Sequence, residues 1–203
     1  MSKKLIYVHD PMCSWCFGFS KVYQQFTEQL PENIEVIRLL GGLAPDTNKI
    51  MPESTRQMVQ QNWRRIEQLI PGVEFNYDFW TKCQPRRATY PACRAVIAAR
   101  EQGDEFDDSM TRQIQQAYYR QARNPSDNET LIELAGEIGL DQGRFSEQLV
   151  ADQTQQRLLD EIATARSIGI SGFPSLVLQN DDEFESLLVH YTDADAIFRQ
   201  IEC

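Results

Sequence analysis

The chain has 203 residues, a length that suits one domain or one domain carrying an insertion and that can bury a core without disulfide or metal staples. Hydrophobic residues make up 41% and charged residues 25%, the balance of an ordinary globular protein rather than a disordered one. Thirty acidic against twenty basic side chains leave a formal net charge of −10, which argues against nucleic acid or an anionic membrane surface as a partner. The basic pairs Arg64-Arg65 and Arg86-Arg87 are too short to reverse that, and no apolar run approaches the ~20 residues of a spanning helix.

Leu5, Ile6, Tyr7 and Val8 form a short, continuous, β-prone run of the kind a buried parallel strand needs, and His9-Asp10-Pro11-Met12 ends it. From Cys13 to Leu30 the residues Phe19, Val22, Tyr23, Phe26 and Leu30 recur at three and four, one stripe of a helix that Pro31 stops. Ile34 to Leu40 reads as a second strand. Strand, crossover helix and strand make a βαβ unit with parallel strands.

The next stretch is helical. Val59, Trp63, Ile66 and Ile70 mark a helix ended by Pro71-Gly72, and residues 73–80 read as an extended aromatic linker. Cys93, Val96, Ile97 and Arg100 share one face of another helix, and Phe106, Met110, Ile114, Ala117 and Tyr118 mark a third. Asn124-Pro125-Ser126-Asp127 breaks the pattern, with Ser126 or Asp127 as the expected cap of a helix through Leu131, Leu134 and Ile138. Phe145 and Leu149 suggest a short helix.

The α/β pattern then returns. Leu158, Leu159, Ile162 and Ala165 line a helix ended by Gly169. Ile170 to Pro174 is a turn, and Ser175 to Leu178 a third strand. Asn180, Asp181 and Asp182 read as a loop to an antiparallel strand at Ser186 to Val189. Ala194, Ile197, Phe198 and Ile201 give a last helix. The fold class is α/β, with both ends forming a small core (1–51 and 151–203) and 52–150 an inserted helical domain.

The five cysteines are Cys13, Cys16, Cys83, Cys93 and Cys203, an odd count that does not describe a disulfide framework. Leu5 to Val8 falls short of the ~7–15 apolar residues of a signal segment, so the N-terminus as given leads to the expectation of a cytoplasmic protein, where stable structural disulfides are rare. Cys13-Ser14-Trp15-Cys16 stands where the first strand yields to its helix. Unpaired amides and the helix dipole there favour a thiolate, the attacking species. Cys13 is then the nucleophile toward a substrate disulfide, and Cys16, one turn on, resolves the mixed disulfide. A lone CxxC also fits half of a zinc site or two core cysteines. No second CxxC or His-x₃-His accompanies it, and His9 and His190 are the only histidines.

Phe173-Pro174 stands directly before the third strand, after a helix and a glycine-containing turn. At this point the sequence resembles the thioredoxin superfamily, in which that pair is X-cis-Pro and faces the CxxC. With the helical insertion between the second and third core strands it resembles the DsbA family. Its segments 10–16 (DPMCSWC) and 169–175 (GISGFPS) are most similar to the cytosolic FrnE-like branch of predicted protein-disulfide isomerases. The resemblance implies a thioredoxin-like fold and a thiol–disulfide oxidoreductase of the isomerase or reductase type. It implies catalytic Cys13 and Cys16, supported by Phe173, Pro174, Ser14, Trp15 and Asp10. No bound cofactor is needed, because electrons pass through the two thiols. Protein or glutathione mixed disulfides are the implied substrates, and a thiol reductant or oxidant resets the pair.

Two positions depart from that family. Members often carry a buried carboxylate six residues before the first cysteine, where this chain has Tyr7. Asp10 is nearer, as a catalytic carboxylate or simply as turn chemistry. The dipeptide between the cysteines is Ser14-Trp15 rather than Pro-His. Ser14 is a candidate donor to a thiolate, and Trp15 either contacts substrate or packs on the insertion. Cys83 and Cys93 read as a second redox pair or as packing residues. Phe75, Tyr77, Phe79, Trp80, Tyr118 and Tyr119 read as a groove or, more simply, as insertion core. Two rival functions share the fold: a DsbA-like adaptor with dispensable thiols, and an enzyme like the glutathione transferase kappa and chromene-carboxylate isomerase group. The latter typically presents a serine where Cys13 stands.

Overall fold

The computed structural model describes residues 3–201; Cys203 lies outside them. Strands β1 (Lys3–His9), β2 (Ile34–Leu40), β3 (Ser175–Asn180) and β4 (Glu183–Leu187) form one sheet in the order β2-β1-β3-β4. β1 pairs in parallel with β2, from Lys3 opposite Ile34 to His9 opposite Leu40, as the βαβ reading requires. β3 runs antiparallel to β1, placing Val8 opposite Ser175. Side chains alternate across a strand, so β1 feeds two cores. Leu5 and Tyr7 face Phe19, Val22, Tyr23 and Phe26 of α1 (Ser14–Thr27) and Ile197 of α9 (Ala194–Phe198). Ile6 and Val8 face Ala165 of α8 (Asp152–Ser167) and Ile170.

Six helices lie between β2 and α8. They are α2 (Glu53–Leu69), α3 (Phe79–Lys82), α4 (Tyr90–Arg100), α5 (Phe106–Tyr119), α6 (Asn128–Glu137) and α7 (Gln142–Leu149). Their core is built around Trp63, fully buried and stacked on Phe75 at 4.8 Å, with Tyr77, Phe79, Trp80, Tyr118 and Tyr119 at its edges. Such aromatic pairs each contribute about 0.5–1.5 kcal/mol beyond the area they bury. The six aromatics weighed as a groove therefore belong to a core that these helices share with Phe17, Leu40 and Leu158, with only Tyr77 half-buried among them.

A chain of ion pairs joins these helices to the sheet. Arg38 of β2 holds Asp107 (2.6 Å) and Asp108 (2.9 Å) of α5. Asp107 also takes Arg100 of α4, and Arg100 reaches Glu161 of α8 at 2.5 Å. Glu161 in turn accepts the Leu40 N–H at 2.7 Å.

Three boundaries and one capping bond differ from the sequence reading. α1 ends at Thr27, not Leu30: the Thr27 hydroxyl bonds back to the Tyr23 and Gln24 carbonyls, and Gln29 and Leu30 close a tight turn. The aromatic linker stops at Asp78, because Phe79 and Trp80 begin α3. Asp127 holds the N-cap position of α6, but its side chain makes no cap bond. It serves Arg86 (2.5 Å) and Asn124 (2.9 Å) instead, while Ser126 donates to the Ala88 carbonyl. Finally, β4 spans Glu183–Leu187 rather than Ser186 to Val189, after a two-residue turn at Asp181-Asp182. Glu183, Phe184, Glu185 and Ser186 are exposed on this edge strand, so it carries no apolar alternation. The strand stops at Leu187 because the Gln200 side chain takes both backbone groups of Leu188.

α8 ends as its glycine requires. Gly169 sits at φ +82, its N–H bonds to the Arg166 carbonyl, and the Ile170 N–H bonds to the Ala165 carbonyl. This left-handed cap turns the chain from α8 into the loop that carries Phe173 and Pro174.

Candidate active site

β1 delivers the chain to Asp10, whose carboxylate accepts the Met12 N–H (2.8 Å) and whose carbonyl accepts the Cys13 N–H (3.0 Å). This turn sets Cys13 at the N-cap of α1 with extended backbone. Its sulfur therefore lies over the free amides of the first helical turn. Cys13 is 7% exposed and Cys16 is completely buried.

The two thiols are driven apart. Cys13 is lowered from the usual thiol value, first by a hydrogen bond from the Cys16 thiol and then by the Cys16 and Trp15 amides, against burial and the Asp10 charge. Cys16 is raised well above it, first by burial and then by Cys13. The Ser14 hydroxyl, half-buried on the first turn, is not among these donors to the Cys13 sulfur. The acidity comes from the helix end and the second cysteine.

The loop after α8 closes the site. The Phe173–Pro174 peptide is cis, and the Phe173 carbonyl lies 3.5 Å from the Cys13 sulfur. The Phe173 ring rests on Gly41, directly after β2, where any Cβ would collide with it. Beside it runs a groove of about 490 Å³ lined by Gly41, Leu43, Arg166, Ser171 and Phe173, among others. Trp15 packs against the apolar cluster of the inserted helices. Its half-buried ring packs on Tyr191 at 5.2 Å, and the Arg65 guanidinium of α2 lies 5.9 Å from its centre.

Tyr7, where relatives were expected to hold a carboxylate, is buried and stacked between His9 (4.8 Å) and Tyr23 (4.0 Å). Burial raises its phenol well above its ordinary value, with Cys16 adding to the shift. His9 is held neutral, first by burial and then by Arg38 and Arg100, so it brings no cation to the thiols. Cys83 and Cys93 are free thiols turned to different partners. Cys83 donates to the Ala122 carbonyl (3.0 Å), whereas Cys93 faces the Asp10 carboxylate (3.6 Å). Among the described residues, no group of three or more His, Cys, Asp or Glu side chains is placed to hold a metal ion, and no helix is long and apolar enough to cross a membrane.

Sequence reasoning missed Thr89 and Tyr191. Thr89 donates to Asp10 at 2.6 Å from 79 residues away, and Tyr191 is the surface Trp15 packs on. No motif or spacing announces either one.

Comparison with known proteins agrees with this geometry. The family model described as Thioredoxin matches residues 6–199. A candidate protein disulfide isomerase from Nitrosomonas europaea superposes with a TM-score of 0.87 at 26% identity, covering 100% of this chain and 97% of that one. The cytosolic disulfide reductase DsbM from Pseudomonas aeruginosa, also crystallised with GSH, gives 0.80 at 26% identity over 98% and 97%. The ClpXP adapter protein SpxH of Bacillus subtilis (strain 168) is 22% identical over 178 residues, 86% of this chain. The chain spans only 58% of the length of that curated relative. With a matching family over nearly its whole length, the chain belongs to the thioredoxin family.

Proposed function

We infer that this chain is a cytoplasmic disulfide isomerase or reductase acting on protein disulfides or glutathione mixed disulfides. The observation that carries the reading is the asymmetry of the thiols: a lowered Cys13 at the helix start beside the Phe173 carbonyl, and a raised, buried Cys16 behind it. The Cys13 thiolate attacks one sulfur of a substrate disulfide, forms a mixed disulfide and expels the other sulfur as thiolate. Cys16 then gives up its proton and attacks the Cys13 sulfur. The second substrate thiol leaves, and a Cys13–Cys16 disulfide remains for an external thiol to reduce. In isomerisation a substrate thiol displaces Cys13 before Cys16 acts.

The other residues serve that exchange. An extended substrate segment pairs with the Phe173 backbone, held by Pro174, and lies along the adjoining groove. Ser14 and Trp15 form the rim that this segment crosses, and Asp10 braces the turn beneath it. In this reading 1–51 and 151–203 are the redox core, and 52–150 is the inserted unit that backs the site. GSH in the DsbM crystals supports a glutathione step, and the two isomerase and reductase neighbours support the type of exchange.

The likeness to an adapter protein favours a second reading, in which the chain presents a client and the thiols are dispensable. Reduction of a protein disulfide by glutathione, followed with wild type and with Cys13→Ser/Cys16→Ser, separates the two. Catalysis lost in the double variant supports the oxidoreductase; no catalysis by wild type supports the adaptor.

A further inference from the structure

Four donors from three segments converge on the Asp10 carboxylate, which is fully buried. The Met12 N–H reaches Oδ1 at 2.8 Å. On Oδ2 fall the Leu43 N–H (2.7 Å), the Thr89 hydroxyl (2.6 Å) and the Cys93 thiol (3.6 Å). Thr89 is the N-cap residue of α4 and Cys93 lies one turn inside it, so two of the four come from the insertion. Thr89 is itself fixed by the Ala44 N–H, 3.1 Å from its oxygen. The other side of Asp10 is the cysteine turn, where its carbonyl takes the Cys13 N–H.

We propose that Thr89 and Cys93 are positioning residues for the Cys13/Cys16 pair, acting on it through the Asp10 carboxylate. The proposal rests on the thiol-exchange reading and extends it into α4. A buried carboxylate keeps its charge only if donors replace water. Burial pushes the Asp10 carboxyl up, and Thr89 is the largest of the four groups that pull it back. The groups facing that charge are Cys13 and Cys16 of α1, Cys93 of α4, and Tyr118 and Tyr119 of α5. The charge opposes a thiolate at Cys13 and at Cys16. α4 thus sets how strongly the pair resists becoming a thiolate, the property that separates a reductant from an oxidant.

The sign follows. Thr89→Val removes the strongest donor, so Asp10 keeps its proton to higher pH. The Cys13 thiolate then survives to lower pH, the reduced form is stabilised, and the pair becomes more oxidising. Cys93→Ala acts in the same direction with a smaller effect, and Thr89→Ser keeps the hydroxyl and restores wild type.

Two measurements test this: the Cys13 thiolate absorbance against pH in fully reduced protein, and the dithiol–disulfide equilibrium with glutathione. Thr89→Val is expected to shift the equilibrium about tenfold toward the reduced protein, about 30 mV, and to carry the thiolate to lower pH. Both values unchanged in Thr89→Val, with only a lower melting temperature, would overturn the proposal, as would Thr89→Ser behaving like Thr89→Val. If Thr89→Val does not fold, Cys93→Ala is read by the same two measurements, and unchanged values overturn the proposal there too. If wild type does not exchange with glutathione at all, the exchange reading fails, while the titration of reduced protein still decides the positioning role.

Discussion

The Cys13 sulfur lies 3.5 Å from the carbonyl oxygen of Phe173, across 160 residues of chain. One partner is set by a helix start and the other by the cap that ends α8, so a substrate disulfide presented along the Phe173 backbone meets the nucleophile directly.

Cys13 should react first. With limiting alkylating reagent at neutral pH, the label is expected on Cys13, because Cys16 is fully buried and its thiol is held protonated. Cys13→Ser should abolish disulfide exchange, and Cys16→Ser should accumulate mixed disulfides. Preferential labelling of Cys16 would reverse the assignment.

The pH dependence of Cys13 has a definite sign. Its thiol is lowered most by the hydrogen bond from Cys16. Cys16→Ala therefore moves the midpoint of Cys13 alkylation to higher pH, while Cys16→Ser, which keeps a donor, moves it less. A midpoint unchanged in Cys16→Ala would mean that the helix amides alone supply the acidity.

Gly41→Ala tests the seat of Phe173. A Cβ at Gly41 would collide with the Phe173 ring. Overpacking of this kind costs about 1–3 kcal/mol, and relief here shifts Phe173 away from Cys13. Disulfide exchange is expected to slow while alkylation of Cys13 stays fast. Equal loss of both would point to a general failure of the fold.

Much of this was legible in the chain, and the boundary of legibility is physical. The run from Leu5 to Val8, the stripe from Phe19 to Phe26 and the CxxC between them are local signals, and the sheet pairs as they imply. The bounds of β4 are not legible, because an edge strand with four exposed residues has no core to pattern it. The capping role of Asp127 was lost to Arg86, which is 41 residues distant. Thr89 and the Arg38–Asp107–Arg100 chain are invisible for the same reason, since each is a contact made by tertiary packing rather than by spacing.

Asp107 sits between two guanidinium groups, Arg38 and Arg100, and is 10% exposed. Asp107→Ala removes the carboxylate they share in a largely buried site, leaving Arg38 with the more exposed Asp108 and Arg100 with Glu161. Removing one member of such a pair costs about 3–5 kcal/mol. Urea unfolding should show a loss of that order, and a loss below about 1 kcal/mol would place the cluster among weak surface pairs.

The reduction potential of the Cys13/Cys16 pair tests the central claim most directly. A DsbA-strength oxidant needs a very acidic nucleophile. Here the helix end and Cys16 lower Cys13, but burial and Asp10 oppose them, and His9 is neutral. The dipeptide Ser14-Trp15 adds no charge. Equilibration with glutathione should therefore give a potential in the isomerase-to-reductase range, roughly −180 to −270 mV. A value near about −120 mV, with the Cys13 thiolate persisting to about pH 4, would contradict it and make the protein a strong oxidant.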